Sequence, residues 1–156
     1  MLQRIQTVYL LLAVISLVVV FFVDIAHFAD AAGIESELSL YKITNGNGEI
    51  GKVEYGMLPV ALIAVTAAIL FATILQYRNR NVQSKIIRMC YVLLLLCVVA
   101  IWYFTDQNYW SLEIAEPQFS YSIGFFMPFV AFAFTFLASR GIRKDEQLVK
   151  SLDRIR

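Results

Sequence analysis

The fold is decided by the stretch FSYSIGFFMPFVAFAFTFLAS-RGIRKDE, residues 119–146. The 23 residues 117–139 carry no charge, and a basic cluster begins directly afterwards at Arg140. An uncharged apolar run of about 20 residues is long enough to cross a bilayer as a helix, and flanking Lys and Arg favour the cytoplasmic side. The stretch therefore predicts a membrane helix that reaches the cytoplasm at Arg140.

Three similar runs precede this one, which gives four predicted spans at about 5–23, 55–77, 89–105 and 119–139. With 60% hydrophobic residues and a mean hydropathy of +0.68, the chain is too apolar for an ordinary soluble domain. The first run is longer than the apolar core of a cleavable signal peptide and ends in bulky side chains at 21–23. We expect it to be retained as a span, with cleavage in the alanines that follow as the alternative.

Basic and acidic residues are segregated along the chain. The N-terminus, the loop 78–88 and the tail 140–156 together carry 11 of the 13 Lys and Arg residues, whereas the loops 24–54 and 106–118 carry nine of the 12 acids. Because cytoplasmic loops are enriched in Lys and Arg, we predict that both termini and the loop 78–88 are cytoplasmic and that the other two loops are outside. Four spans place both termini on one side, so the number of spans agrees with the charge distribution.

The first outer loop contains a predicted β-hairpin. Its residues 38–43 alternate in polarity, the turn-forming sequence NGNG follows at 45–48, and residues 50–55 would form the returning strand. In the second outer loop, residues 109–114 are strand-like and would add a third strand. We therefore predict an all-α membrane protein. It is a four-helix transmembrane bundle (1–139) with a small extracytoplasmic β-hairpin or three-stranded sheet and a C-terminal cytoplasmic amphipathic helix.

Two rows of small residues recur at every fourth position within the spans. Ala64, Ala68 and Ala72 lie in the second span, and Ala131 and Thr135 lie in the fourth. Small residues at this spacing let two helices approach closely in lipid. We expect the rows to contribute to helix packing inside the bundle, with a homodimer face as the alternative for the alanine row.

The tail has the pattern of a basic amphipathic helix. Apolar residues recur at helical spacing from Ile142 to Ile155, and the bases between them are Arg140, Arg143, Lys144, Lys150, Arg154 and Arg156. Such a helix can lie on an anionic leaflet or dock to a protein partner. We predict these six side chains as contacts for membrane lipids or a partner, with a tail that only fixes topology as the alternative.

Groups that would support catalysis or ion transport are sparse. The spans contain no Asp, Glu, Lys, Arg or His, which argues against ion-coupled transporters and proton pumps. His27 is the only histidine, and Asp24 and Asp30 would share its face of a helix, but no nucleophile signature accompanies them. Cys90 and Cys97 lie seven residues apart, too far along a helix for a disulfide. We predict no catalytic site, no cofactor, no metal site and no nucleic-acid binding.

The two ends of the chain carry a resemblance to a known family. MLQRIQTVYLLL at 1–12 and RGIRKDE at 140–146, continued by LVKS and DR, resemble a bacterial family of small four-span integral membrane proteins of unknown function. The resemblance extends over the whole chain and implies a location in the bacterial cytoplasmic membrane. It implies no activity and no catalytic residue.

Three functions remain as expectations. The first is a non-enzymatic accessory or scaffold component of a membrane complex, because the spans lack catalytic groups and the tail suits a lipid or a partner. The alternative is a protein that binds or transports a small molecule, lipid or quinone, using a phenylalanine-rich fourth span bent at Pro128. A second alternative is a membrane enzyme that uses the outer carboxylates and His27. The sequence leaves the partner, the substrate and the oligomeric state undecided.

Overall fold

The computed structural model of the protein describes residues 2–29, 35–45, 50–51, 56–76, 80–111 and 118–153. These residues form four helices and a five-stranded antiparallel sheet, which confirms the predicted fold class. In chain order the elements are α1 (Leu2–Val19), β1 (Ala26–Ala29), β2 (Glu35–Leu38), β3 (Ile43–Asn45), β4 (Ile50–Gly51), α2 (Met57–Leu75), α3 (Arg80–Ser111), β5 (Gln118–Tyr121) and α4 (Ile123–Asp153).

Three of the described helices are long and apolar enough to cross a membrane. The spanning segments are Met57–Leu75 of α2, Val82–Tyr109 of α3 and Ile123–Lys144 of α4, and α1 contributes a shorter apolar segment, Ile5–Val19. Long side chains such as Phe71, Leu95 and Phe136 are exposed along these helices. Soluble monomers rarely expose so much apolar surface to water. These helices are therefore those of a membrane protein.

Each helix packs on the next in the chain, and α4 closes the bundle by packing most extensively on α1. Buried residues on each helix are separated alternately by three and four positions, as in α3 with Cys90, Leu94, Cys97 and Ile101. This alternation is the heptad pattern of helices that pack nearly parallel or antiparallel in four-helix bundles. The matching buried residues are Leu10, Ala13 and Leu17 in α1, Ile63, Thr66, Leu70 and Thr73 in α2, and Ala131, Thr135, Ala138 and Ile142 in α4.

Two glycines of α4 mark the ends of its contact with α1. A Cβ on Gly124 would come within 2.6 Å of the backbone oxygen of Asp24, and the Gly124 N–H donates to that oxygen at 3.0 Å. Toward the other end of α4, a Cβ on Gly141 would come within 2.9 Å of the Gln6 side chain. The helix rises about 26 Å between the two glycines, close to the thickness of about 30 Å of a bilayer core. The chain from Gln6 to Asp24 therefore runs antiparallel to α4 over nearly the whole span.

The sheet lies at the end of the bundle where α1 ends and α4 begins, which we call the sheet end. Its strand order is β4-β3-β2-β1-β5, and β1 pairs with β5 so that Ala26 lies opposite Tyr121. Burial alternates along β1 and β2, with Phe28 and Leu38 buried in the core and His27 and Glu37 on the opposite face. The sheet therefore covers the end of the bundle with one apolar face, which is how a small sheet becomes stable.

The sheet is larger than the sequence predicted. The predicted first strand, 38–43, is interrupted because the Ser39 N–H donates to the Lys42 carbonyl, which turns the chain between β2 and β3. Strands β3 and β4 do pair across residues 46–49, which lie outside the described residues. The predicted strand at 109–114 is wrong where it is described, because residues 109–111 end α3, and the strand that joins the sheet is β5.

Helix bounds also differ from the predicted spans. α1 ends at Val19 rather than at residue 23, and α3 begins at Arg80, so most of the predicted loop 78–88 is helical. The helix of the predicted fourth span begins at Ile123 instead of Phe119, because residues 118–121 form β5. The predicted separate tail helix is the continuation of α4, which passes through the buried Pro128 and runs to Asp153 without a break.

Candidate functional site

A basic cleft lies on α4 at the end of the bundle opposite the sheet, which we call the tail end. The cavity measures about 540 Å³, and its lining residues are Tyr91 of α3 and Phe136, Ser139, Arg140, Arg143, Lys144 and Gln147 of α4. Three of the six predicted contact residues, Arg140, Arg143 and Lys144, therefore lie around one cavity. All three are exposed.

Helical spacing builds this cleft from a short stretch of sequence. Phe136, Arg140, Arg143 and Gln147 follow one another at intervals of four, three and four residues, so they lie on one stripe of α4. Tyr91 closes the side of the cleft on α3, and its ring lies 5.3 Å from that of Phe132. The result is an apolar wall toward the span and a basic rim beyond it.

This arrangement suits an anionic lipid better than a soluble anion. Arginine guanidinium groups bind phosphate with paired N–H donors, and lysine adds a compact charge. The exposed ring of Phe136 lies one turn before Arg140, on the side of the apolar segment of α4. A lipid phosphate at the rim would therefore leave its chain against apolar side chains.

The side chains of the other three predicted contact residues lie outside the described part of the structure. Lys150 lies on the last turns of α4, where only the helix itself is described. Arg154 and Arg156 lie outside the described residues. Their role as lipid or partner contacts stays a prediction.

The two rows of small residues lie in different environments. Ala131 and Thr135 are fully buried in the bundle, whereas Ala64, Ala68 and Ala72 are exposed on the outer face of α2. None of the described residues covers the alanine row, so its predicted packing inside the bundle is not seen there, and packing on this face would involve a helix from another molecule. That role also stays a prediction.

Polar side chains inside the bundle use their donors within their own helices. Thr66 donates to the Leu62 carbonyl at 2.7 Å, and Thr135 donates to the Ala131 carbonyl at 2.8 Å. Ser16, Thr73 and Thr105 make the same bond to the residue four positions earlier. Among the described residues, no buried side-chain nitrogen or oxygen lacks a hydrogen-bond partner. These hydroxyls therefore serve the packing of the bundle.

His27 joins the sheet to the start of α4. Its Nε2 lies 3.1 Å from Oγ of Ser122, the residue directly before α4. The predicted helical face with Asp24 and Asp30 is wrong, because His27 lies on a strand and Asp24 lies in the turn before it, where Ser39 donates to its carboxylate. Asp30 is outside the described residues.

The outer face of the sheet beside His27 carries a second cavity of about 420 Å³, and its polar lining residues include Glu35, Glu37 and Ser120. Glu37 lies opposite His27 in the sheet register, yet no carboxylate of the described chain forms a hydrogen bond or ion pair with the imidazole. Among all the described residues, no group of three His, Cys, Asp or Glu side chains is placed to hold a metal ion.

Sequence reasoning missed Tyr91 as a wall of the basic cleft and Ser122 as the partner of His27. Phe136 carried a usable signal, because it precedes Arg140 by one turn on the same predicted helix. Ser122 carried none, since its contact with His27 joins residues 95 positions apart.

Comparison with known proteins gives one family. A family model described as "Domain of unknown function (DUF4293)" matches residues 2–155. No curated protein matches the chain.

Proposed function

The chain belongs to the DUF4293 family, whose function is unknown, so we propose a function from the geometry of its own basic cleft. The protein is a non-enzymatic accessory component of a complex in the bacterial cytoplasmic membrane, and its cleft binds the phosphate of anionic phospholipids. The observation that carries this proposal is the position of Arg140, Arg143 and Lys144 around one cavity where α4 leaves its apolar segment.

The proposal places the tail end in the cytoplasm and the sheet outside. Arg140, Arg143 and Lys144 of the tail lie at the same end as Lys85 and Arg88 in the first turns of α3, and the positive-inside rule assigns that end to the cytoplasm. The cytoplasmic leaflet is also the anionic one, which matches a basic cleft. α1 is included as a fourth span, because Gln6 and Asp24 contact the two ends of the α4 segment that crosses the membrane.

Transport and catalysis receive less support from the same geometry. The hydroxyls that would line a polar path bond to their own helices, as Thr66 and Thr135 do. A serine hydrolase would need an acid to orient the histidine, and His27 has no carboxylate partner in the described chain. An accessory role needs neither feature.

The lipid contact is tested with a pair of matched double variants. Arg140→Gln with Arg143→Gln removes two charges from the cleft, whereas Lys85→Gln with Arg88→Gln removes two exposed charges from α3 at the same end. Native mass spectrometry would count phosphatidylglycerol retained by each purified protein. We expect affinity to fall about thirtyfold for the α4 pair, since the loss of two direct hydrogen bonds to the phosphate costs about 1 kcal/mol each.

The control pair should lose much less phosphatidylglycerol, and phosphatidylcholine retention should differ little between the pairs. Equal losses for both pairs would show a diffuse charge effect and would contradict the cleft. The accessory role is tested separately by native gel electrophoresis after mild-detergent extraction. A protein that migrates only as a monomer would contradict membership of a complex.

A further inference from the structure

A third cavity lies at the sheet end, between the last turns of α3 and the edge strand β5. It measures about 180 Å³, and its lining residues are Trp102, Thr105, Asp106, Tyr109, Phe119 and Tyr121. We call it the aromatic box. It shares only Phe119 with the described lining of the cavity beside His27 and no described residue with the basic cleft, so it is independent of the proposed function.

Local structure explains why these residues meet. Trp102, Asp106 and Tyr109 are spaced by four and three residues and so share one face of α3. Phe119 and Tyr121 are two residues apart on β5 and so share one face of that strand. In the sheet register they lie opposite Phe28 and Ala26, whose side chains are buried against the bundle. The edge strand therefore holds its two rings on the side facing α3.

The rings stand as adjoining walls. The ring of Phe119 lies 5.9 Å from that of Tyr109 at 81° and 4.5 Å from that of Tyr121 at 85°. Phe28 is fully buried behind them, with its ring 5.9 Å from Tyr109 and 5.5 Å from Phe119. These contacts with Phe28 hold the rings of Tyr109 and Phe119 in place before a ligand binds, which lowers the entropy cost of binding.

The electrostatics of the box favour a cation. Asp106 supplies a carboxylate, and the described residues that line the cavity include no Lys or Arg. No other side chain of the described chain forms a hydrogen bond or ion pair with Asp106, which is partly buried. Aromatic faces carry negative potential and attract ammonium groups, most strongly when the site is partly desolvated.

We propose that the aromatic box binds an alkylammonium group. Its volume of about 180 Å³ is smaller than a drug-sized pocket, which suits a small substituted ammonium. The box lies at the end of the spanning segment Val82–Tyr109, and Trp102 is half exposed there. The ammonium can therefore come from a phospholipid headgroup or from a free organic cation.

The test uses the fluorescence of Trp102 in the full chain. Trp110→Phe leaves Trp102 as the only tryptophan, and the purified protein is titrated in neutral detergent with tetramethylammonium chloride. We expect a saturable change in emission that sodium chloride of equal ionic strength does not produce. In the same background, Asp106→Asn should weaken the apparent affinity at least tenfold, and Glu35→Gln, an exposed carboxylate outside the box, should leave it within twofold.

Tyr121→Leu is a second variant, because it removes a wall without touching the carboxylate, and we expect it to weaken binding severalfold. Burial of both native thiols, measured by alkylation, checks that each variant is folded. Unchanged affinity in a folded Asp106→Asn or Tyr121→Leu variant, or an equal saturable response to sodium chloride, would overturn the proposal.

Bilayer discs identify the source of the ammonium. Discs of phosphatidylglycerol alone are compared with discs that also contain phosphatidylethanolamine or phosphatidylcholine. If phosphatidylethanolamine or phosphatidylcholine abolishes the tetramethylammonium response, the result supports the proposed site and identifies a lipid headgroup as its occupant. If the response persists in all three kinds of disc, the result supports the proposed site and identifies a free organic cation as its occupant.

Discussion

At the scale of single residues, two glycines set how closely α4 approaches α1. The space beside Gly124 is closed by the backbone of Asp24, which cannot move without displacing the turn between α1 and β1. The space beside Gly141 is closed by the Gln6 side chain, which can adopt another rotamer. The two positions therefore provide a matched pair.

We expect Gly124→Ala to lower the free energy of unfolding by about 1–3 kcal/mol, the usual cost of forcing an atom into a packed site. Gly141→Ala should cost about 1 kcal/mol or less, because the side chain that it meets can shift and alanine favours the helix. Thermal unfolding in detergent, followed by circular dichroism, measures both. If Gly141→Ala lowered the free energy of unfolding more than Gly124→Ala does, the result would contradict these contacts of α4 with Gln6 and Asp24.

The two native thiols test the packing of α3. Cys90 and Cys97 are both fully buried, and Cys97 Sγ lies 3.4 Å from Thr66 Oγ1 of α2. We expect neither thiol to react with a maleimide in the folded protein and both to react after denaturation in sodium dodecyl sulfate. Ser120→Cys, at an exposed position of β5, is the positive control. Rapid labelling of the folded native chain would mean that the bundle opens.

At the scale of elements, the helices extend beyond the apolar runs that predicted them. Charge marks where a helix leaves lipid, but it does not end the helix, because Arg, Lys, Glu and Gln are good helix formers in water. α4 therefore continues from its span into the tail, and Ile142 remains in the buried core, 2% exposed, beyond Arg140. The first part of the tail is thus part of the bundle.

Two truncations separate this structural part of the tail from the remainder. Removal of residues 140–156 takes away Ile142 and the contact of Gly141 with Gln6, so we expect a loss of about 2 kcal/mol or more in stability. Removal of residues 148–156 keeps both contacts and should change stability much less. Unfolding midpoints in detergent would measure the difference, and equal midpoints for the two truncated proteins would contradict it.

At the scale of the whole molecule, the proposed topology places the sheet and the bases of α3 on opposite sides of the membrane. Single cysteines at exposed positions report this directly, because the native thiols are buried. We expect Lys42→Cys to react with a membrane-impermeant maleimide on intact cells. Lys85→Cys should react only after the cells are permeabilised. The reverse pattern would invert the topology, and labelling of both in intact cells would contradict it.

The sequence by itself determined the class, the number of helices and the basic stretch at Arg140, Arg143 and Lys144, because these depend on local composition and spacing. It also placed small and polar residues such as Thr66, Thr73, Cys90 and Cys97 in apolar runs. In the structure all four are buried. When nearly every position is apolar, hydroxyl and thiol side chains of this kind indicate the inward face better than alanine does, because Ala64, Ala68 and Ala72 are exposed.

Only the tertiary structure decided which distant segments meet. Residues 119–121 belong to the predicted fourth span, but residues 118–121 form β5 because β1 offers them an unpaired strand edge. That pairing brings Phe119 and Tyr121 over α3 and Ser122 against His27. The local sequence could not reveal these contacts, since the preferences of four residues are weaker than the hydrogen bonds and buried rings that a partner strand supplies.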